Sequence, residues 1–205
     1  LFATSSGQVR RNALSDFTNI RANGKIAMKL EEGEQLIAVS SCNETNDVLL
    51  TTREGRCIRF AVTDVREFVG RTSTGVRGIR LTKDDKIVSM SILHQVDFTI
   101  EERDAYLKQA MKLRRQEGDE AKDEAIISLS QERFEAMAEV EEFILSVSEN
   151  GFGKRSSAYE YRCTNRGGQG ITTMDVTAKT GKLVDSFPIK AEDDIMLVTN
   201  TGKLI

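Results

Sequence analysis

The stretch Val48-Leu-Leu-Thr-Thr-Arg-Glu-Gly-Arg-Cys-Ile-Arg-Phe60 decides the reading of this chain. Two short apolar runs, bounded by Thr and joined at Glu54-Gly55, favour paired strands over helix at this length. The pattern returns at Leu1 to Arg11, at Phe143 to Arg155 and at Ile195 to Ile205. Each occurrence has an apolar run, a Ser/Thr-rich end, a glycine turn and a second run carrying basic residues. A hairpin written four times marks a repeat protein.

The turn glycines set the period. Gly7 and Gly55 lie 48 residues apart, Gly55 and Gly151 lie 96 apart, and Gly151 and Gly202 lie 51 apart. Four positions after the glycine stands an arginine: Arg11, Arg59 or Arg155. Nine positions after it stands an acid (Asp16, Asp64, Glu160), followed by a bulky apolar residue (Phe17, Val65, Tyr161). A second glycine (Gly24, Gly75, Gly170) opens a third apolar strand at 26–30, 76–81 and 171–176, and a fourth follows at 36–39, 87–90 and 183–187. Four short strands in about 48 residues is the size of a propeller blade. Asn150-Gly151 predicts a type I′ turn, because both residues tolerate positive φ; the other hairpins have only the glycine and predict a turn with one such position.

Outward from these hairpins, the chain divides into a blade at 1–47, a blade at 48–96, an inserted acidic segment at 97–142, a blade at 143–194 and the start of another at 195–205. In the insert, Thr99-Ile-Glu-Glu102 matches a capping box. Tyr106, Leu107, Ala110, Met111 and Leu113 then give Arg103 to Arg115 an apolar face, and Phe134, Met137, Ala138 and Val140 do the same for Ser130 to Glu142. A helical hairpin packed on itself or on a blade is the expectation.

Composition agrees with a turn-rich β protein: the 205 residues include 15 Gly, 1 Pro and no Trp. Cys42, Cys57 and Cys163 are odd in number and far apart, which points to neither a disulfide framework nor a zinc site. A reducing, cytoplasmic setting fits that usage. No apolar run approaches a membrane span, no signal peptide opens the chain, and its abrupt ends read as those of a fragment. The formal charge of −3 averages two regions. Residues 97–142 hold 7 Lys+Arg against 14 Asp+Glu, and the repeat body holds 22 against 18.

Catalytic chemistry is not signalled. His94, the only histidine, has no motif around it and reads as a surface or packing residue. Gly151-Phe-Gly-Lys-Arg-Ser156 is not a phosphate loop, since Ser148 stands where its first glycine belongs and Arg155 replaces the hydroxyl that holds magnesium. No metal site and no cofactor are expected in these residues. The basic residues are more informative. Arg10 and Arg11, Arg56 and Arg59, and Lys154 and Arg155 recur in the second strand of each hairpin. Arg71, Arg77 and Arg80 cluster around the second glycine of unit two, with Lys25 and Arg166 in the matching loops. Stacked units would line these cations along one curved surface, as phosphate contacts to a bent duplex require. Two readings stay open for Arg11, Arg59 and Arg155: contact with phosphate, or internal pairing with the acids five residues later.

Ser73-Thr-Gly-Val-Arg-Gly-Ile-Arg-Leu81, Asn150-Gly-Phe-Gly-Lys-Arg-Ser-Ser157 and Gly24-Lys-Ile-Ala-Met-Lys-Leu30 resemble the C-terminal domain of the A subunit of bacterial DNA gyrase. The resemblance covers the repeat body on both sides of the insert. It implies a β-pinwheel, a propeller-like ring whose strands are exchanged between blades, here with an incomplete ring. It implies non-sequence-specific wrapping of duplex DNA around a basic perimeter, in support of ATP-dependent negative supercoiling. ATP and Mg2+ would be bound elsewhere in the holoenzyme, and the B subunit of gyrase would be met through the rest of the A subunit. By order of motifs the chain would supply the third to fifth blades and the start of the sixth. Thr164-Asn-Arg-Gly-Gly-Gln-Gly170 resembles a weakened copy of the family's basic heptad, with Asn165 and Gln169 in place of cations. The acidic insert departs from the shorter form of the domain and is expected off the DNA path. The related domain of topoisomerase IV, and a propeller that binds protein, are the alternatives. An incomplete ring is also expected to leave an unpaired strand edge and to associate in solution.

Overall fold

The computed structural model describes residues 1–116 and 129–204. Eleven strands are described: β1 (Phe2–Thr4), β2 (Gln8–Arg10), β3 (Leu36–Val39), β4 (Asn46–Thr52), β5 (Arg56–Ala61), β6 (Val76–Arg77), β7 (Ile87–His94), β8 (Phe143–Ser148), β9 (Gly153–Ser157), β10 (Ile171–Thr172) and β11 (Leu183–Ile189). They form three sheets in the orders β3-β1-β2-β6, β10-β5-β4-β7 and β11-β8-β9, with every ladder between named strands antiparallel. The outer strand of each complete blade comes from the following unit. β6 of unit two pairs with β2 of unit one, Val9 opposite Val76, and β10 of unit three pairs with β5 of unit two, Cys57 opposite Ile171. This strand exchange is the β-pinwheel expected from the sequence.

Period-two alternation explains how one strand serves two neighbours. Val48, Leu50, Ile58 and Phe60 point back into an apolar cluster shared with Ala3 and Val9 of the preceding sheet and with Ile79, two residues past β6. Leu49 and Cys57 point forward into a cluster with Ile144, Ala158 and Tyr161 of the following one. The core therefore lies between the blades. At the inner side the fourth strands β7 and β11 pack together, and the Ser91 hydroxyl donates to the Ser186 carbonyl at 3.3 Å. The exchanged strands β6 and β10 consequently form the outer edge.

All four hairpins turn alike. The N–H of Gly7, Gly55, Gly151 and Gly202 donates to the carbonyl of Thr4, Thr52, Ser148 and Thr199 at 3.0, 3.1, 3.0 and 2.9 Å. The type I′ turn predicted for Asn150-Gly151 does not form, since only the glycine has positive φ. The Asn150 side chain instead donates to the carbonyls of Ala178 and Lys179, at 3.4 and 2.9 Å, and ties the turn to the next loop. Every unit also places a short 3-10 turn seven residues after its glycine, at Leu14–Phe17, Val62–Asp64 and Ala158–Glu160.

Two expectations need correction. The third strands are only two residues long where they form, and 26–30 forms none. Segments of this type pair on the second strand of a preceding unit, and no such hairpin among the described residues faces 26–30. Met28 is nevertheless buried. The insert forms α1 (Ile100–Gln116) and α2 (Gln131–Glu139). The capping box is made: Thr99 N–H donates to Glu102 Oε2 at 2.8 Å and Glu102 N–H donates to Thr99 Oγ1 at 3.1 Å. Tyr106, Ala110 and Met137 then pack on Tyr159 in the 3-10 turn of the third blade, whose hydroxyl donates to the Met137 carbonyl at 2.8 Å. Part of the predicted face stays in solvent: Met111 and Leu113 on α1 are exposed, and so is Val140, which lies past the end of α2 at Glu139. Among the described residues no helix is long and apolar enough to cross a membrane.

Candidate nucleic-acid interface

The outer edge is built from loops as much as from strands. After the second and third 3-10 turns the chain crosses to the preceding blade and makes a parallel bridge, Arg11 with Glu67 and Arg59 with Cys163. It then loops outward and returns as β6 or β10. Glycine is required at the return: a Cβ on Gly75 would lie 2.4 Å from the Val9 carbonyl oxygen, and one on Gly170 would lie 2.1 Å from that of Cys57. Both also sit at positive φ, which glycine alone adopts without penalty. The loops 67–76 and 163–171 therefore hang from the rim by both ends.

Three arginines share the fourth position after the turn glycine and meet three environments. Arg59 faces forward between blades two and three and is 3 % exposed. Its Nε donates to Asp47 Oδ2 at 2.7 Å, its Nη1 to the Ala158 carbonyl at 3.0 Å and its Nη2 to the His94 carbonyl at 3.0 Å. Asp47 is the diagonal cross-strand neighbour, so the internal pairing uses neither phosphate nor Asp64. Arg11 pairs with Glu44 at 3.5 Å instead of Asp16. Arg155 lies exposed over the Phe143 ring at 4.7 Å, while Lys154 makes the ion pair with Glu160 at 3.3 Å.

Of the candidate cations, Arg10 and Arg59 are enclosed by the protein. Arg10 is fully buried. Its guanidinium donates to the carbonyls of Gly70, Ser73 and Ala27, which clamps segment 25–29 against loop 70–73. Carbonyl dipoles offset part of the burial there, while Nε has no partner among the described residues and desolvation lowers the pKa of the guanidinium.

Several remaining candidates share their donors with the protein. Arg56 donates to the carbonyls of Gln169 and Gly170, both at 2.9 Å. Arg166 donates to the carbonyls of Asp64 and Arg77 at 2.8 and 2.9 Å. Lys25 and Arg71 donate to the carbonyls of Thr18 and Ile26. Arg166 thus fastens loop 163–171 to β6, and three residues past that strand Arg80 N–H also donates to the Gly168 carbonyl at 2.7 Å. By contrast Arg77 and Arg80 are exposed, and among the described residues their guanidinium groups have no internal partner.

Sequence reasoning missed two cations of the same kind. Arg66 and Arg162 both stand eleven positions after the turn glycine and are exposed. Arg66 stacks on Phe68, its Cζ 4.1 Å from the ring centroid; Arg162 has no internal partner among the described residues. Their shared template position was the available signal. The interface thus offers exposed guanidinium groups on the outer edges of consecutive blades, held by a buried framework of other arginines. His94 lies at the surface with Nδ1 3.0 Å from Glu142 Oε1.

Strand exchange, inter-blade cores and a cation-bearing outer rim together define a class, the β-pinwheel modules built of propeller-like blades. The sequence matches the family described as DNA gyrase C-terminal domain, beta-propeller, over residues 1–43, 46–94 and 142–190. The chain belongs to that family. The DNA gyrase A subunit of Rickettsia bellii is 49 % identical over 208 residues, and that of Granulibacter bethesdensis 48 % over 222. Its Staphylococcus aureus counterpart is 34 % identical over 205 residues. These alignments cover the whole chain but only 23, 24 and 18 % of the relatives, so the chain spans about a quarter or less of their length. Among solved structures, the C-terminal domain of DNA topoisomerase IV superposes with a TM-score of 0.73 at 19 % identity, over all of this chain and 50 % of that one. The DNA gyrase A C-terminal domain gives 0.69 at 23 %, over all of this chain and 53 % of that one. The two solved structures share the fold.

Proposed function

We propose that this chain binds duplex DNA without reading bases and wraps it around the outer rim, as part of a DNA gyrase A subunit. The observation that carries this reading is the set of exposed guanidinium groups at Arg66, Arg77, Arg80 and Arg162, which spend no side-chain hydrogen bond on the described residues. Lys25, Arg11, Arg56, Arg71, Arg166, Lys154 and Arg155 border that set and add positive potential. Bending a short duplex costs on the order of 1–6 kcal/mol, so several phosphate contacts must act together. A rim repeated from blade to blade supplies them at regular intervals.

The names of the relatives support the wider setting. In it, the parent protein works in the bacterial cytoplasm with the B subunit of gyrase in an A2B2 holoenzyme, where ATP and Mg2+ bind outside this region. The decisive experiment is a salt series of duplex binding by the full-length protein. Each phosphate neutralised contributes about −0.9 to the slope of log affinity against log salt. A steep slope with induced curvature is expected, and a flat one would overturn the reading. The superposition on topoisomerase IV gives a second reading, in which DNA is held with weaker wrapping. Negative supercoiling of relaxed circles with ATP separates gyrase from it.

A further inference from the structure

We propose that Val69 is an apolar wedge that enters the minor groove of the wrapped duplex and loosens one base step there. The proposal rests on the DNA-binding reading above. Val69 is 104 % exposed, as open to water as in an extended peptide. It sits in the rim loop 67–76, whose ends are fixed at Glu67 and Val76 on the outer edge of the first blade.

Exposure alone would be unremarkable in a loose loop. Here the backbone on both sides of Val69 is pinned. Phe68 N–H donates to the Arg11 carbonyl at 2.8 Å. Asn12 Nδ2 donates to the Phe68 carbonyl at 3.0 Å and to the Gly70 carbonyl at 2.9 Å, and the buried Arg10 donates to the same Gly70 oxygen. The Phe68 side chain is 5 % exposed, beneath Arg66 and beside Arg10. The loop thus buries one apolar residue and holds its neighbour out into solvent. A β-branched aliphatic, restricted at χ1, is a stiffer projection than an unbranched one.

Its surroundings choose the partner. Arg66 stands three residues before the tip and Arg71 two after, with Arg77 on β6 beyond them; all three carry N–H donors not spent on the protein. Cations flanking an apolar tip match a minor groove, whose walls are phosphates and whose floor is base edges. Apolar side chains inserted there unstack a step and kink the duplex by about 20–90°. The wedge would place a bend at one register of the wrap and favour flexible pyrimidine–purine steps at that point.

The test uses the full-length protein with duplexes carrying 2-aminopurine at successive positions beside TA steps. Wild type should raise the fluorescence severalfold at one register, Val69→Ile should keep the rise, and Val69→Ser should abolish it. Because the cations remain, Val69→Ser should change low-salt affinity by less than about threefold and leave the salt slope unaltered. An unchanged melting temperature for Val69→Ser confirms that the fold is intact. Fluorescence that is equal in wild type and Val69→Ser, with DNA bound by both, overturns the wedge and leaves the wrapping reading standing. Failure of wild type to bind duplex at any salt overturns the wrapping reading itself. A photo-crosslinking residue at position 69 should form adducts with DNA; adducts with protein alone would overturn the wedge and assign the tip to another partner.

Discussion

Arg59 shows how a residue that reads as a DNA contact becomes part of the frame. Its guanidinium joins β5 to Asp47 of its own sheet, to the end of β7 and to the 3-10 turn of the next blade. Removing it leaves Asp47 buried and charged, so Arg59→Ala should cost about 3–5 kcal/mol in denaturant titration of the full-length protein. Below the unfolding transition, the salt slope of DNA binding should stay unchanged. The cysteines offer a second residue-scale check. Burial pushes the Cys57 thiol up to about 12, so at pH 8 almost none of it is thiolate. Cys163 is exposed, although partial desolvation raises its thiol as well. Alkylation at pH 8 should modify Cys163 in the native protein and reach Cys57 only on unfolding.

At the scale of elements, the exchanged strands are held by register and close approach more than by length. β10 contributes two residues, Ile171 opposite Cys57 and Thr172 opposite Arg56, and begins only where Gly170 lets the backbones nearly touch. Gly170→Ala combines positive φ with that clash and should destabilise by more than about 1 kcal/mol, read as a lower melting temperature. Gly24→Ala meets no atom within 4 Å and should cost less, although its φ is also positive. The two substitutions separate conformational strain from packing between blades. In the insert, Thr99→Ala removes the hydroxyl of the capping box and should cost about 1 kcal/mol by the same measurement.

At the scale of the molecule, the rim acts as a sum of phosphate contacts. Arg77→Glu with Arg80→Glu should weaken duplex binding and lower the magnitude of the salt slope by about 2, near 0.9 per lost contact. Neither guanidinium is used internally among the described residues, so the melting temperature should hold. Arg71 would serve such a test less cleanly, because its guanidinium also holds the Ile26 carbonyl.

The hairpin at Val48 to Phe60, its glycine-set phase, the acid and apolar pair that follow and the fourth strand of each unit were legible in the sequence, because turn chemistry and alternation are local and repeat with the period; the third strands were not, since they form only where a preceding hairpin receives them. The capping box and the two helices were legible because capping chemistry and helical apolar spacing are local as well. Only the tertiary structure decided which arginines meet solvent. Arg11, Arg59 and Arg155 occupy one template position, yet Arg59 is enclosed because a following blade packs on its forward face, while Arg155 has no such cover among the described residues. That difference arises from segments about a hundred residues apart, such as Arg59 and Ala158, which no spacing within a unit encodes. The same holds at the tip of loop 67–76. Phe68 and Val69 are adjacent apolar residues, and it is the carbonyl cage of Arg10 and Asn12 that turns one inward and holds the other out.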